Sequence, residues 1–120
     1  MDETPRQCVL REIYEETGIP EDKLVNLNER GIIHFCSNQY GAEDMYLFTA
    51  EFGGNLSEVK SDCDEGELIW YPISKVKNLP IWEGDKLMFD VLLKNHNIDM
   101  TLVYQGETLV EALNEGKRLI

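Results

Sequence analysis

Cysteine and basic charge are the scarce features of this 120-residue chain, and each scarcity closes off a class of function. The three cysteines, Cys8, Cys36 and Cys63, are an odd number with no C-x-x-C spacing. That argues against a structural zinc site and against a disulfide framework, and makes a reducing, cytoplasmic setting the expectation. Lysine and arginine number 11 against 23 acidic residues, a net charge of −12. A nucleic-acid polymer wants a basic face, so no such partner is expected. A small phosphorylated molecule stays open, because a bound metal can reverse the field locally. The acidity by itself serves solubility equally well. Long apolar runs are missing too: nothing reaches membrane-spanning length or resembles a signal peptide, and no membrane partner is expected. With no repeat, linker or low-complexity run, the chain reads as one domain over residues 1–120.

What the sequence does have is an improbable helix. Thr4 can cap it, Pro5 sits in its first turn, and Gly18 before Ile19 and Pro20 ends it. Glu12, Glu15 and Glu16 stand at i, i+3 and i+4, so their carboxylates project from one face, with Val9, Leu10, Ile13 and Thr17 on roughly the opposite side. Each like-charged pair at this spacing costs about 0.2–0.5 kcal/mol. The helix dipole disfavours negative charge at this end as well, and Arg11 neutralises one glutamate at most. A divalent cation would supply the missing counter-charge. A solvated acidic face is the plainer alternative.

The same residues carry a resemblance. Glu3 is followed by seven residues and then by Arg11-Glu12-Ile13-Tyr14-Glu15-Glu16-Thr17-Gly18-Ile19. This resembles the box of the Nudix hydrolases, G-x5-E-x7-R-E-U-x-E-E-x-G-U, where U is a bulky aliphatic residue. Every specified position from Glu3 onward is filled, while the box glycine would fall before Met1. The resemblance implies that Glu12, Glu15 and Glu16 bind magnesium or manganese. It further implies that Arg11 orients them, that Glu3 braces the loop and that Gly18 closes the box.

Along the rest of the chain, 31–36 and 45–52 read as strands joined by turn residues at 38–41, and 53–55 ends the second. Residues 56–66 are polar and acidic, hence a loop. Residues 68–71 read as a short buried strand closed by Pro72, 73–79 as a helical turn, 83–93 as a helix and 100–104 as a strand. The tail from Glu107 is ambiguous between strand and helix. Alternating strands and helices give an α/β class. The resemblance sharpens this to an α/β/α sandwich around a mixed sheet. In that family several strands precede the box, and these are expected to be missing here. The domain would then be incomplete at its N-terminus, with unpaired sheet edges that favour self-association.

Two further segments bear on function. Glu65, in the acidic run before Trp70, aligns with a carboxylate that Nudix hydrolases often add from outside the box as a metal ligand; an acidic surface loop is the alternative. The stretch from Asn78 to Asp85 is similar to the segment that grips the nucleobase in the hydrolases of oxidised purine nucleotides. Trp82 would stack on the base and Asp85 would bond to the donors of a guanine-like edge. A core tryptophan and a helix-start aspartate remain open. Gly84 departs from the animal form of that pattern, which has a second acid there. His34 and His96 have no partner spacing for a metal or a triad, and a structural role is expected of His34. No serine, cysteine or threonine sits in an activating motif, so water is the expected nucleophile.

The resemblance therefore implies an enzyme, a metal-dependent pyrophosphohydrolase that cleaves a nucleoside triphosphate, such as 8-oxo-dGTP, to the monophosphate and pyrophosphate. Glu12, Glu15, Glu16 and Arg11 would form its catalytic set, and a small nucleotide would be its partner in nucleotide-pool sanitation. The alternative is a truncated, non-catalytic or partner-completed fragment with residual metal binding.

Overall fold

The computed structural model describes residues 2–55, 57, 59, 62–63, 66–67 and 70–120, with the backbone alone at 62, 63, 66 and 67. Contacts divide the chain into two compact units, Met1–Glu29 with Phe48–Trp70, and Arg30–Leu47 with Tyr71–Ile120.

The first unit opens with α1, Pro5–Thr17. Its N-terminus is a reciprocal capping box: the Gln7 amide N–H donates to Thr4 Oγ1 at 3.1 Å, and the Thr4 N–H donates to Gln7 Oε1 at 2.9 Å. At the other end Gly18 takes the left-handed conformation and its N–H donates to the Tyr14 carbonyl. Val9, Leu10 and Ile13 are half-buried, whereas Arg11, Glu12 and Glu15 face solvent. A short 3₁₀ helix, Glu21–Lys23, leads into the strand β1, Leu24–Ser37, and β2 follows over Gly41–Phe52. Inside the stretch 56–66 read as a loop, β3, Asp62–Cys63, begins a small hairpin: it pairs antiparallel with β4, Gly66–Glu67, and α1 lies against β3.

The expectation of a buried strand at 68–71 is corrected where it can be seen. Trp70 and Tyr71 belong to no strand and are 55% and 41% exposed, while Leu68 and Ile69 lie outside the described residues. Pro72, which lacks an N–H and restricts the residue before it, ends any pairing there. Trp70 instead stacks on Phe52, ring centres 5.9 Å apart.

The second unit is organised by β5, Ile98–Gln105. Its residues alternate: Ile98, Met100, Leu102 and Tyr104 are buried, and the positions between them are not. That period of two places one face of the strand against the core. Val91 of α2, Glu83–Leu93, Ile33 of β1 and Ala112 of β6, Thr108–Asn114, complete the buried cluster, with Leu87 and Met88 packed against it. The tail left ambiguous by its sequence is β-structure: β6 is followed by β7, Lys117–Arg118, around a two-residue turn in which Glu115 and Gly116 both have positive φ. Such a turn matches the twist of the strands it joins. The five-stranded sheet runs β2-β1-β5-β6-β7 and is mixed, with β1 and β5 parallel and the β5–β6 and β6–β7 pairs antiparallel. The fold is thus the expected mixed α/β class. No helix among the described residues is long and apolar enough to cross a membrane.

Gly31 begins the parallel ladder opposite Ile98, at a φ of +146° that side chains rarely adopt. A Cβ there would run into the Ile98 carbonyl. Gly31→Ala is therefore expected to destabilise the chain by about 2 kcal/mol or more, seen as a lowered urea midpoint at unchanged slope.

Candidate active site

The residues singled out by the sequence fall into two groups, one in each unit. In the first unit Arg11 is the organising group. Its Nε donates to Glu3 Oε2 at 2.8 Å and its Nη2 to Glu3 Oε1 at 2.9 Å, a two-pronged grip that holds the segment before α1 against the helix. Its Nη1 donates to Glu15 Oε2 at 3.1 Å, and Glu12 lies 4.0 Å from Nη2. The hydrogen bond from Arg11 lowers the Glu3 pKa, and the bonds to Glu3 and then Glu15 raise that of Arg11. Glu12 also accepts from the Cys8 thiol at 3.5 Å, a contact that raises the Cys8 pKa and keeps the thiol protonated. Glu16 is half-buried at the border of the apolar side. Gly18 is the left-handed cap already described. Glu65 lies outside the described residues.

Among the described residues no group of three or more His, Cys, Asp or Glu side chains is gathered as a metal cage. Magnesium does not require one, since it commonly takes one or two carboxylates and completes its octahedron with water and phosphate oxygens. The donor set fits that chemistry: hard carboxylate oxygens, solvent-accessible at Glu12 and Glu15, on successive turns of one helix.

In the second unit a cavity of about 210 Å³ is lined by Phe35, Glu43, Met45, Trp82, Asp85, Leu102 and Tyr104. Its size suits one ring system better than a whole nucleotide, drug-sized pockets being about 300–1,000 Å³. Trp82 immediately precedes α2 and packs edge-on against Tyr104, with centres 4.9 Å apart, and against Phe35 at 6.4 Å. Tyr40 meets it from the β1–β2 turn at 6.2 Å. Trp82 stays 40% exposed, so it is not a core tryptophan. Asp85 is in the first turn of α2, and burial raises its pKa against a backbone hydrogen bond from Trp82. The buried Tyr104 hydroxyl accepts the Gly84 N–H at 2.7 Å and keeps its own proton to donate.

Phe35, Glu43 and Tyr104 had not been read as site residues. Tyr104 was legible only as the last residue of the strand at 100–104. Glu43 fell outside the strand read from Met45 onward, although the two residues stand at i and i+2 on one face. A larger cavity of about 520 Å³ beside α2 contains none of the predicted residues. Its wall mixes Lys94 and Lys117 with Asp90 and Glu115, and Asp90 is already bonded to Lys77 at 2.7 Å.

His34 ties three neighbouring strands together. Its Nδ1 lies 2.8 Å from Asp44 Oδ1 on β2 and its Nε2 3.1 Å from Asp99 Oδ1 on β5. Both nitrogens can donate only in the imidazolium form. The Asp44 bond, and then the Asp99 bond, raise the histidine pKa. A raised folded-state pKa makes the contribution full below the unfolded value of about 6.5 and removes it as pH climbs through the folded value. The stability lost in His34→Gln should therefore be largest below about pH 6.5 and shrink with rising pH, as urea unfolding of both proteins across that range would show.

The NUDIX domain family profile matches residues 1–92. Among curated proteins, the chain is 28% identical over 98 residues to the "Uncharacterized Nudix hydrolase YvcI" of Bacillus subtilis (strain 168), a match covering 80% of this chain and 60% of that protein. The chain thus spans less than two thirds of that relative. Among solved structures, the mutator MutT protein from Bacillus halodurans is similar with a TM-score of 0.74 and 27% identity, over 96% of this chain and 77% of that one. The fold, the box that runs unbroken from Glu3 to Ile19 and the profile match agree: the chain belongs to the Nudix family.

Proposed function

We propose that this chain carries the hydrolysis of a nucleoside triphosphate, 8-oxo-dGTP and related oxidised purines among the candidates, to the monophosphate and pyrophosphate. Magnesium or manganese would be held by Glu12, Glu15 and Glu16, with Glu65 as an added ligand. The observation that carries the reading is the Arg11 network: an arginine fixed from one side by Glu3 holds Glu15 from the other, beside the exposed Glu12. An acidic face kept only for solubility needs no such bracing. When bound, the metal would offset phosphate charge and activate water as the nucleophile. Arg11 keeps the Glu15 carboxylate in place, and Glu12 is the base we assign to the water's proton. Trp82 offers a ring for stacking, and Asp85 offers acceptors to a purine edge.

Glu16→Gln keeps the shape and removes one ligand charge. It is expected to reduce magnesium-dependent pyrophosphate release by roughly 100-fold or more, and to weaken manganese binding measured calorimetrically without nucleotide. Unaltered turnover together with unaltered manganese affinity would sink the assignment.

Base recognition should separate from metal binding. Trp82→Ala is expected to weaken nucleotide binding by about 1–3 kcal/mol if the ring stacks on the base. Asp85→Asn should penalise guanine-type nucleotides more than others, because one acceptor oxygen becomes a donor. Equal losses on every nucleotide in both variants would mark the two residues as structural.

A further inference from the structure

The wall of the aromatic cavity carries a second carboxyl that neither the sequence pattern nor the family assignment picks out. Asp85 enters from the first turn of α2, and Glu43 from β2. The position beside Asp85 has no room for an acid. A Cβ on Gly84 would stand 2.7 Å from Leu102 Cδ1 and 2.7 Å from the Tyr104 hydroxyl oxygen, which already accepts the Gly84 N–H. A second acidic contact to a ring in this cavity is therefore not available from position 84. Among the described residues that line the cavity Glu43 is the one other acid, and it shares its strand face with Met45, which lines the same space.

The chemistry of the cavity points to a particular kind of ring. Phe35, Trp82 and Tyr104 supply the flat apolar surfaces, and the acids supply acceptors. The pairing edge of guanine carries three N–H hydrogens, one on N1 and two on the 2-amino group. A single carboxyl, with two oxygens facing that edge, accepts two of them side by side. The third needs an acceptor of its own, because a polar hydrogen shut away from water without a partner is costly. Hypoxanthine lacks the 2-amino group, and adenine offers an acceptor at N1, so neither ring can use two acids in this way.

We propose that Glu43 is a specificity-determining residue of this cavity, which together with Asp85 selects a 2-aminopurine, the guanine class, over hypoxanthine and adenine. This rests on the reading of the cavity as the base site. Two ionised carboxyls facing one small space repel each other, and the N–H hydrogens of a guanine edge placed between them offset that repulsion. Glu43 itself is exposed on its strand, so replacing it leaves the core cluster intact.

The test is binding, with no metal present, of dGMP, dIMP and dAMP to the wild-type chain and to Glu43→Gln and Trp82→Ala, measured by isothermal titration calorimetry in EDTA. Expected are tighter wild-type binding of dGMP than of dIMP or dAMP, and weaker binding of all three in Trp82→Ala. In Glu43→Gln, whose amide keeps one acceptor oxygen but makes a neutral bond in place of a charge-assisted one, the affinity for dGMP should fall about tenfold while that for dIMP holds steady. Coulomb's law works in the opposite direction, since removing a negative charge should favour a phosphate anion. A loss confined to dGMP therefore cannot be a general charge effect. If Trp82→Ala weakens all three nucleotides while Glu43→Gln leaves the dGMP preference unchanged, or shifts all three alike, the role of Glu43 is overturned and the base site stands. If Trp82→Ala leaves every affinity unchanged, the base-site reading falls and the proposal falls with it.

Discussion

The placement of α2 in the second unit depends on the hydrogen bond from the Gly84 N–H to the Tyr104 hydroxyl. A helix begins with N–H groups that have no partner inside it, and α2 has no side-chain cap at Trp82. The phenol from β5 takes over for one of those donors. It joins the start of α2 to the end of the most buried strand, and this is possible because position 84 lacks a side chain. Trp82 and Asp85 flank that junction, so their placement in the cavity follows from it. Removing the phenol oxygen would leave a buried amide without its acceptor, a loss of about 1–3 kcal/mol in comparable cases.

The first unit works by a different balance. Its ion pairs are exposed, and pairs of that kind usually contribute little to stability. What the Arg11 network supplies is position. A guanidinium is a rigid fork, and with two prongs on Glu3 the direction of the third is set. The Glu15 carboxylate is thereby restrained, and in the proposed metal site this would lower the entropy that a cation has to overcome. The helix tolerates its acidic end because its local signals are strong: a two-way cap at Thr4 and Gln7, and a left-handed stop at Gly18.

Those local signals are the part of the fold that was plainest in the sequence. Both helices came out at their expected places, α2 over the same residues, because capping, helical spacing and the Gly18 stop are written within a few positions of one another. The strand at 100–104 was legible within its own short stretch too, while its alternation of buried positions emerges from the structure. Elements whose form depends on distant partners were harder. Leu24–Arg30 gave no strand signal because polar residues dominate it, yet it opens β1, with Asn26 at a positive φ. Trp70 and Tyr71 look like buried strand by composition but are largely exposed. The tail became β-structure because β5 was there to pair with. In the candidate site, the glutamates stand out by their helical spacing and Trp82 by the resemblance of its segment. Glu43 and Tyr104 were not, since only the folded sheet brings them to one cavity.

The parallel pairing of β1 with β5 has a consequence for how the chain reaches its native state. The ladder joins Gly31 to Ile98 and Ser37 to Tyr104, so β2 and the whole of α2 lie inside the loop that it closes. Closing so long a loop costs chain entropy before any ladder bond repays it, and pairings of this type are slow. The β5–β6 hairpin and its contact with α2 are local by comparison and involve most of the buried side chains. The order of assembly that follows is a C-terminal nucleus of α2, β5 and β6, onto which β1 is added late. On a ribosome β1 and β2 would emerge before the strand they need and wait, with open edges, until β5 has been made.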